Sequence, residues 1–134
     1  MKFPILLLAI FLFANIATAC KCAPPPSVAL SYDGATAIFI GKVQSIKEVK
    51  FQRVVTLRVI EAFKGAKAKT VTIHTGSGGG DCGFPFVLFQ SYLVYANGTA
   101  NDLGTNICSR TKGVGKASLE LSELRKLRGP VSED

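Results

Sequence analysis

The sequence has few of the residues that enzymes use as catalytic groups. Its 134 residues include one histidine, His74, and only 9 Asp and Glu against 16 Lys and Arg. No carboxylate pair and no cysteine or serine partner to His74 is spaced for acid–base or nucleophilic catalysis. The glycine-rich segment 76–81 lacks the Gly-Lys-Ser/Thr ending of a phosphate-binding loop. The sequence therefore predicts a protein that is not an enzyme and has no cofactor of its own.

Long apolar runs are also scarce, since the only one covers residues 5–13, which is too short to span a bilayer as a helix. Lys2 precedes this run, and the small residues Ala17-Thr18-Ala19 follow it. A basic start, an apolar run and an A-x-A site are typical of a secretory signal peptide. We therefore predict that residues 1–19 are a signal peptide, cleaved after Ala19.

Such cleavage would make Cys20 the first residue of one mature domain, residues 20–134. No other run is long enough to span a membrane, so we expect a soluble, monomeric protein without a membrane span. It would be secreted to the extracellular space, or to the periplasm in a bacterium. A small residue before a cysteine also fits a bacterial lipoprotein site, which leaves lipidation of Cys20 as an alternative.

The chain has four cysteines, all in the predicted mature domain. An even number of cysteines in an exported domain indicates two disulfides. A bond between Cys20 and Cys22 would close too tight a ring, so each must pair with Cys82 or Cys108, in an order that the spacing leaves open. Zinc binding by the four thiols is a weaker alternative, because structural zinc sites usually contain C-x2-C pairs rather than C-x-C.

Basic residues are concentrated between positions 42 and 69, where acidic residues are only Glu48 and Glu61. The eight basic residues are Lys42, Lys47, Lys50, Arg53, Arg58, Lys64, Lys67 and Lys69. Such a stretch can attract an anionic polysaccharide, an acidic protein or nucleic acid, although a solvated surface is the simpler interpretation, and we predict no nucleic-acid partner. Asn97-Gly98-Thr99 also matches a glycosylation acceptor, which would matter only in a eukaryote.

The mature chain alternates apolar and polar residues with the period of β-strands. The predicted strands cover residues 37–46, 51–63, 70–75, 91–96 and 106–111. A short helix is predicted over 28–33 and a C-terminal helix over 118–128, ended by Gly129-Pro130. Gly41, inside the first strand, suggests a bulge or a barrel corner. Together these elements predict a mainly β fold: a five-stranded Greek-key barrel of the oligonucleotide/oligosaccharide-binding (OB) type, with two helices.

Several segments resemble a known family. They are CKCAPP at the predicted mature N-terminus, AIFIGKV, VIEAFKG, TGSGGGDCGFPF, YLVYA and CSRT, and they span residues 20–111. In this combination the chain resembles the tissue inhibitors of metalloproteinases, whose wider group is the netrin-like module built on an OB-type barrel. It differs from the animal inhibitors in having four cysteines, no second cysteine-rich domain, and a lysine at position 21.

The resemblance implies disulfides Cys20–Cys82 and Cys22–Cys108, and it implies a function. In these inhibitors the amine and carbonyl of the first cysteine, here Cys20, chelate the catalytic zinc of the target protease. Lys21 would then enter the pocket beside the zinc.

The remaining contacts implied with the protease come from two segments. Cys22, Ala23 and Pro24 would follow along the cleft, and Gly80 and Asp81 would flank it. The resemblance thus implies a secreted inhibitor of zinc metalloendopeptidases, whose partner is the protease and whose only metal is the protease's zinc. The alternative is a netrin-like module without inhibitory activity that binds an anionic polysaccharide or an extracellular or envelope protein.

Overall fold

The computed structural model describes residues 20–131, so the predicted signal peptide, residues 1–19, lies outside the described residues. The elements in chain order are helix α1 (Val28–Gly34), strands β1 (Ala37–Val49), β2 (Gln52–Lys64), β3 (Thr70–Gly76), β4 (Ser91–Thr99), β5 (Asp102–Gly104) and β6 (Lys112–Gly113), a 3-10 turn (Val114–Lys116), and helix α2 (Ser118–Arg128). The mainly β class and both helices agree with the sequence-based prediction.

Five of the strands close into a barrel in the order β1-β2-β3-β5-β4, and β4 pairs back with β1. The pairing of β3 with β5 is parallel, whereas the other pairs in the barrel are antiparallel. Closure leaves none of the five as an unpaired edge. This is the five-stranded OB-type barrel that the sequence predicts.

The barrel encloses one apolar core, and a second apolar core lies between its wall and the helices. Side chains of β2 alternate between the first core and the outside of the barrel. Val55 and Leu57 are fully buried in this core, whereas Thr56 between them is partly exposed. The second core joins Ile38 and Leu93 of the wall to Leu121 and Leu124 of α2. Residues 37–40 of β1 and 92–96 of β4 are buried on both faces, which explains the unbroken apolar sequence of these two stretches.

Gly41 lies where β1 bends, next to a shift in its register with β2. A Cβ atom at this position would lie 2.8 Å from Phe39 Cε2 and 2.9 Å from Leu57 Cβ. Only glycine fits such a close approach, which agrees with the bulge or corner predicted there.

The fifth strand was predicted in the wrong place. Residues 106–111 form turns, and β5 is instead the three-residue segment Asp102–Gly104. The Asn106 side chain turns the chain because its Oδ1 accepts hydrogen bonds from the amides of Cys108 (2.9 Å) and Ser109 (3.2 Å). Asp-Leu-Gly has the composition of a turn, so local sequence favoured the wrong segment.

Helix α2 covers residues 118–128, as predicted, and ends at Gly129 with φ of 78°. Within residues 20–131, no helix has the length and apolar character needed to cross a membrane.

Candidate functional site

The segment before α1 is an arm without regular secondary structure, and its residues 21–27 are all exposed. Its prolines, Pro24 to Pro26, cannot donate a backbone hydrogen bond and restrict the chain to extended conformations. The arm ends at Ser27, which caps α1 because its Oγ accepts a hydrogen bond from Leu30 N at 3.2 Å. The arm therefore contributes almost nothing to either apolar core.

Two disulfides hold the start of the arm: Cys20 is bonded to Cys82 and Cys22 to Cys108, the same pairing that the resemblance implied. The bonds lie side by side, since Cys20 Sγ is 3.7 Å from Cys108 Sγ. None of the cysteines in the described residues is free, so the zinc site made of four thiols is wrong. Structural disulfides persist in oxidising compartments, so this pair is compatible with an extracellular protein.

The glycine-rich loop after β3 ends in an acidic residue that organises it. Asp81 Oδ1 accepts hydrogen bonds from the amides of Gly83 (2.9 Å) and Gly78 (3.0 Å). The hydrogen bond from the Gly83 amide is the main reason why the pKa of Asp81 is lowered. Desolvation opposes this shift, and the Gly78 amide adds to it. The charged carboxylate thus folds the loop onto the residue that follows Cys82.

Cys20 and this loop line a surface groove of about 450 Å³. Its lining consists of Cys20, Gly78, Gly79, Gly80, Cys82, Gly83 and Ile107. Of the residues that sequence reasoning assigned to the site, Cys20 and Gly80 therefore meet in one groove. The side chain of Asp81 is engaged with its own loop, and Lys21, Ala23 and Pro24 are exposed along the arm.

Sequence reasoning missed Arg110, which connects the arm to α2. Its Nη1 donates a hydrogen bond to the carbonyl oxygen of Pro26 at 2.8 Å, and its Nε donates to Glu120 Oε1 at 2.5 Å. Glu120 also accepts hydrogen bonds from Tyr95 Oη at 2.8 Å and from Lys112 Nζ. One buried carboxylate therefore links the arm, β4, β6 and α2.

A signal for Glu120 was present in the sequence. Glu120 lies between Ala117 and Leu124 at helical spacing, so it falls on the apolar face of α2 beside Leu121. An acidic residue on an apolar face indicates a buried partner, although the sequence does not say which cation provides it.

Burial by itself would raise the pKa of Glu120, but hydrogen bonds from Lys112, Arg110 and Tyr95 outweigh it and lower that pKa. The pKa of the Tyr95 phenol is shifted upward instead, because burial and the neighbouring carboxylate both raise it. The cluster thus contains an ionised Glu120 and a neutral Tyr95 at neutral pH.

The single histidine lies outside the groove that Cys20 and the glycine-rich loop form. His74 is on β3, its side chain is 39% exposed, and its Nε2 is 3.7 Å from Asp102 Oδ1. It lines a separate polar cavity of about 480 Å³ together with Asp81 and Asn97.

Fold and site together define a small OB-type barrel whose exposed N-terminal arm is fixed by two adjacent disulfides. No protein-family model matches the sequence, and no curated protein matches it. The resemblance to the tissue inhibitors of metalloproteinases therefore rests on the quoted sequence motifs.

Proposed function

We propose that the protein is a secreted inhibitor of zinc metalloendopeptidases that belongs with the netrin-like, single-domain relatives of the tissue inhibitors of metalloproteinases. The observation that carries this proposal is the attachment of Cys20 and Cys22 to Cys82 and Cys108 by two adjacent disulfides. These bonds present an exposed extended arm next to the glycine-rich loop.

The proposed chemistry uses the backbone of Cys20 rather than its sulfur. A catalytic zinc keeps one position open for water. After removal of residues 1–19, the amine nitrogen and carbonyl oxygen of Cys20 would replace that water as a five-membered chelate. The sulfur remains in its disulfide and orients these two atoms.

The restraints on the arm favour tight binding. An unrestrained N-terminus would lose conformational entropy when it entered a protease cleft, and this loss would weaken the complex. In the folded protein the disulfides remove most of that freedom in advance. The exposed residues Lys21, Ala23 and Pro24 would then contact the cleft, while Gly80 and Asp81 would border it on the other side.

Lys21 would determine which proteases bind. Lys21 directly follows Cys20, the chelating residue, and its side chain would enter the pocket beside the zinc. A lysine buried in an apolar pocket loses hydration without gaining a partner, which disfavours binding. We therefore propose that the targets have a carboxylate or open, water-filled space in this pocket. Zinc proteases with a closed apolar pocket would then not bind the arm.

The decisive experiment compares protein that begins at Cys20 with a variant carrying one extra alanine before Cys20. Both are assayed against a panel of zinc endopeptidases with different pockets, with a serine protease as the negative control. We expect inhibition by the first protein only, because the extra residue converts the amine into an amide and displaces it from the metal.

The alanine-extended variant is a matched control because it retains both disulfides and the complete barrel, which circular dichroism can verify. Equal inhibition by both forms would show that the amine is not the zinc ligand. Failure of the Cys20 form against every zinc protease in the panel would overturn the proposed function.

A further inference from the structure

Three consecutive apolar residues are exposed in the connection between β3 and β4. Val87 is 55% exposed, Leu88 43% and Phe89 64%. The residues just before them behave in the opposite way, since Phe86 is buried and its ring packs against Tyr92 at a centroid distance of 4.9 Å. Exposed apolar groups in a row, next to well-packed aromatic residues, are a common mark of an interaction surface.

The three residues, which we call the apolar tip, lie on a well-anchored backbone. Val87 N donates a hydrogen bond to Tyr92 Oη at 2.9 Å, and Gln90 N donates to Val87 O at 3.2 Å, which closes a tight turn. Phe89 N donates to Val43 O at 2.9 Å, and Val43 N donates to Gln90 O at 2.9 Å. The tip is therefore fixed to β1 on one side and to the aromatic residues on the other.

These hydrogen bonds identify a position where glycine is normally required. Phe89 is the third residue of the turn and the first residue of a β-bulge opposite Val43, and its positive φ matches a type II turn and a G1 bulge, in which glycine is usual at this position. Phe89 has φ of 66°, in a region that bulky side chains rarely adopt. Its side chain neither fills the core nor suits the backbone, and strain of this kind is characteristic of functional positions.

Two cations lie on the strand to which the tip is fixed and on its neighbour. Lys42 immediately precedes Val43, and it is directly opposite Arg58 on β2, so the two side chains leave the same outer face of the sheet. Like charges in this arrangement repel each other and destabilise the pair. Among residues 20–131, neither one takes part in a salt bridge.

We propose that the apolar tip and the Lys42–Arg58 pair form a docking surface for an anionic lipid bilayer. Val87, Leu88 and Phe89 would enter the interfacial region, and the two cations would bind lipid phosphates. An anionic polysaccharide would satisfy the cations but would leave the three apolar side chains in water. A lipid surface accounts for both features, and it is independent of the arm and of protease inhibition.

The chain contains no tryptophan, so one introduced tryptophan is a clean fluorescent reporter. In Phe89→Trp we expect a blue shift of the emission on addition of equimolar phosphatidylcholine and phosphatidylglycerol vesicles, and a much smaller shift with phosphatidylcholine alone. Leu119→Trp is the matched control. Leu119 is 89% exposed on α2, and this helix carries neither the tip nor the Lys42–Arg58 pair, so no shift is expected.

Two further variants separate the contributions, with binding measured by cosedimentation with the mixed vesicles. Phe89→Gly supplies the residue that the backbone favours, so it should reduce vesicle binding at least several-fold while the melting temperature stays constant or rises. Lys42→Gln combined with Arg58→Gln should abolish the preference for anionic vesicles. Lys116→Gln combined with Lys126→Gln removes the same charge elsewhere and should leave binding nearly unchanged.

Three results would overturn the proposal. The first is absence of a blue shift at position 89 with the mixed vesicles, and the second is an equal shift with neutral vesicles. The third is cation-dependent binding of soluble heparin while Phe89→Gly leaves vesicle binding intact, which would assign the cations to a polysaccharide. Because no protease is present in these experiments, their outcome does not depend on the proposed inhibition.

Discussion

The N-terminal arm and the C-terminal helix α2 are held to the same barrel by different forces. The arm, residues 20–27, is almost entirely exposed and depends on two disulfides. No disulfide joins helix α2 to the barrel. The helix buries Leu121 and Leu124, and Glu120 forms ion pairs with Arg110 and Lys112.

The difference follows from what each segment can bury. A helix with one apolar face gains free energy when it covers the barrel wall, so packing is sufficient. An arm that must remain available to a partner cannot be stabilised by burial, and covalent restraint is then the strongest remaining option. Disulfides on this exposed segment are what the binding role proposed for the arm would require.

The largest effect should come from breaking the restraint on the arm. Replacing Cys22 and Cys108 together by serine opens a bridge with a sequence separation of 86 residues. We expect the free energy of unfolding to fall by about 2–5 kcal/mol, measured by denaturant titration. Inhibition by the protein starting at Cys20 should fall as well, because the arm would have to be ordered on binding.

This double variant leaves the contacts of α2 in place, so the refolded protein should keep its helical signal in circular dichroism. A variant with unchanged stability and unchanged inhibition would show that the disulfides are not what orders the arm.

A smaller effect should come from the carboxylate that secures α2. Glu120→Gln would leave Arg110 and Lys112, both less than one third exposed, without their counter-charge. We expect the free energy of unfolding to fall by about 2–4 kcal/mol. The expected decrease is smaller than for a completely buried ion pair, because both cations retain some contact with water. Glu123→Gln, on the exposed side of the same helix, should change stability by less than about 0.5 kcal/mol.

Glu120→Gln should also change how the stability of the fold depends on pH. The pKa of Glu120 is lower in the folded than in the unfolded protein, so its ionisation stabilises the fold above the unfolded value of about 4.3 and less as pH falls. Wild-type stability should therefore decrease more between about pH 5 and pH 3 than that of Glu120→Gln. Parallel curves would contradict the role assigned to this carboxylate.

The smallest effect should come from the loop that borders the groove. Asp81→Ala removes the acceptor of the Gly78 and Gly83 amides, which should exchange hydrogen faster while global stability hardly changes. Inhibition should weaken only roughly threefold, the size expected for loss of a solvent-exposed hydrogen-bonded restraint. Asp102→Ala, an exposed acidic residue outside the groove, is the control, and faster exchange in both variants would argue against a specific role for Asp81.

Prediction from sequence worked where local pattern and tertiary structure agree. Strand β2, with Val55 and Leu57 on its inner face, and α2, ended by Gly129, could be placed because burial imposes their periodicity on the sequence. It failed at β5, because a three-residue strand has too few residues to show a period. The pairing of Asp102–Gly104 with β3 and β4 holds that strand in place.

The candidate site also has features that the sequence predicts and features that it does not. The C-x-C pair and the excluded Cys20–Cys22 bond pointed directly to a doubly anchored arm. Arg110 could not be assigned, since its partners Pro26 and Glu120 meet it only after the barrel has closed. Phe89 could not be recognised as strained, because positive φ at that residue results from a hydrogen-bonded turn and a bulge against β1.

The sequence by itself determined the class of fold and the need for two disulfides, because periodicity and cysteine number can be read along the chain without knowing which segments meet. Only the tertiary structure decided that the two disulfides lie side by side, that Glu120 joins four segments, and that Phe89 extends from the position of a glycine beside Lys42. These features depend on which distant residues are brought together when the five strands close, and a local pattern carries no information about that closure.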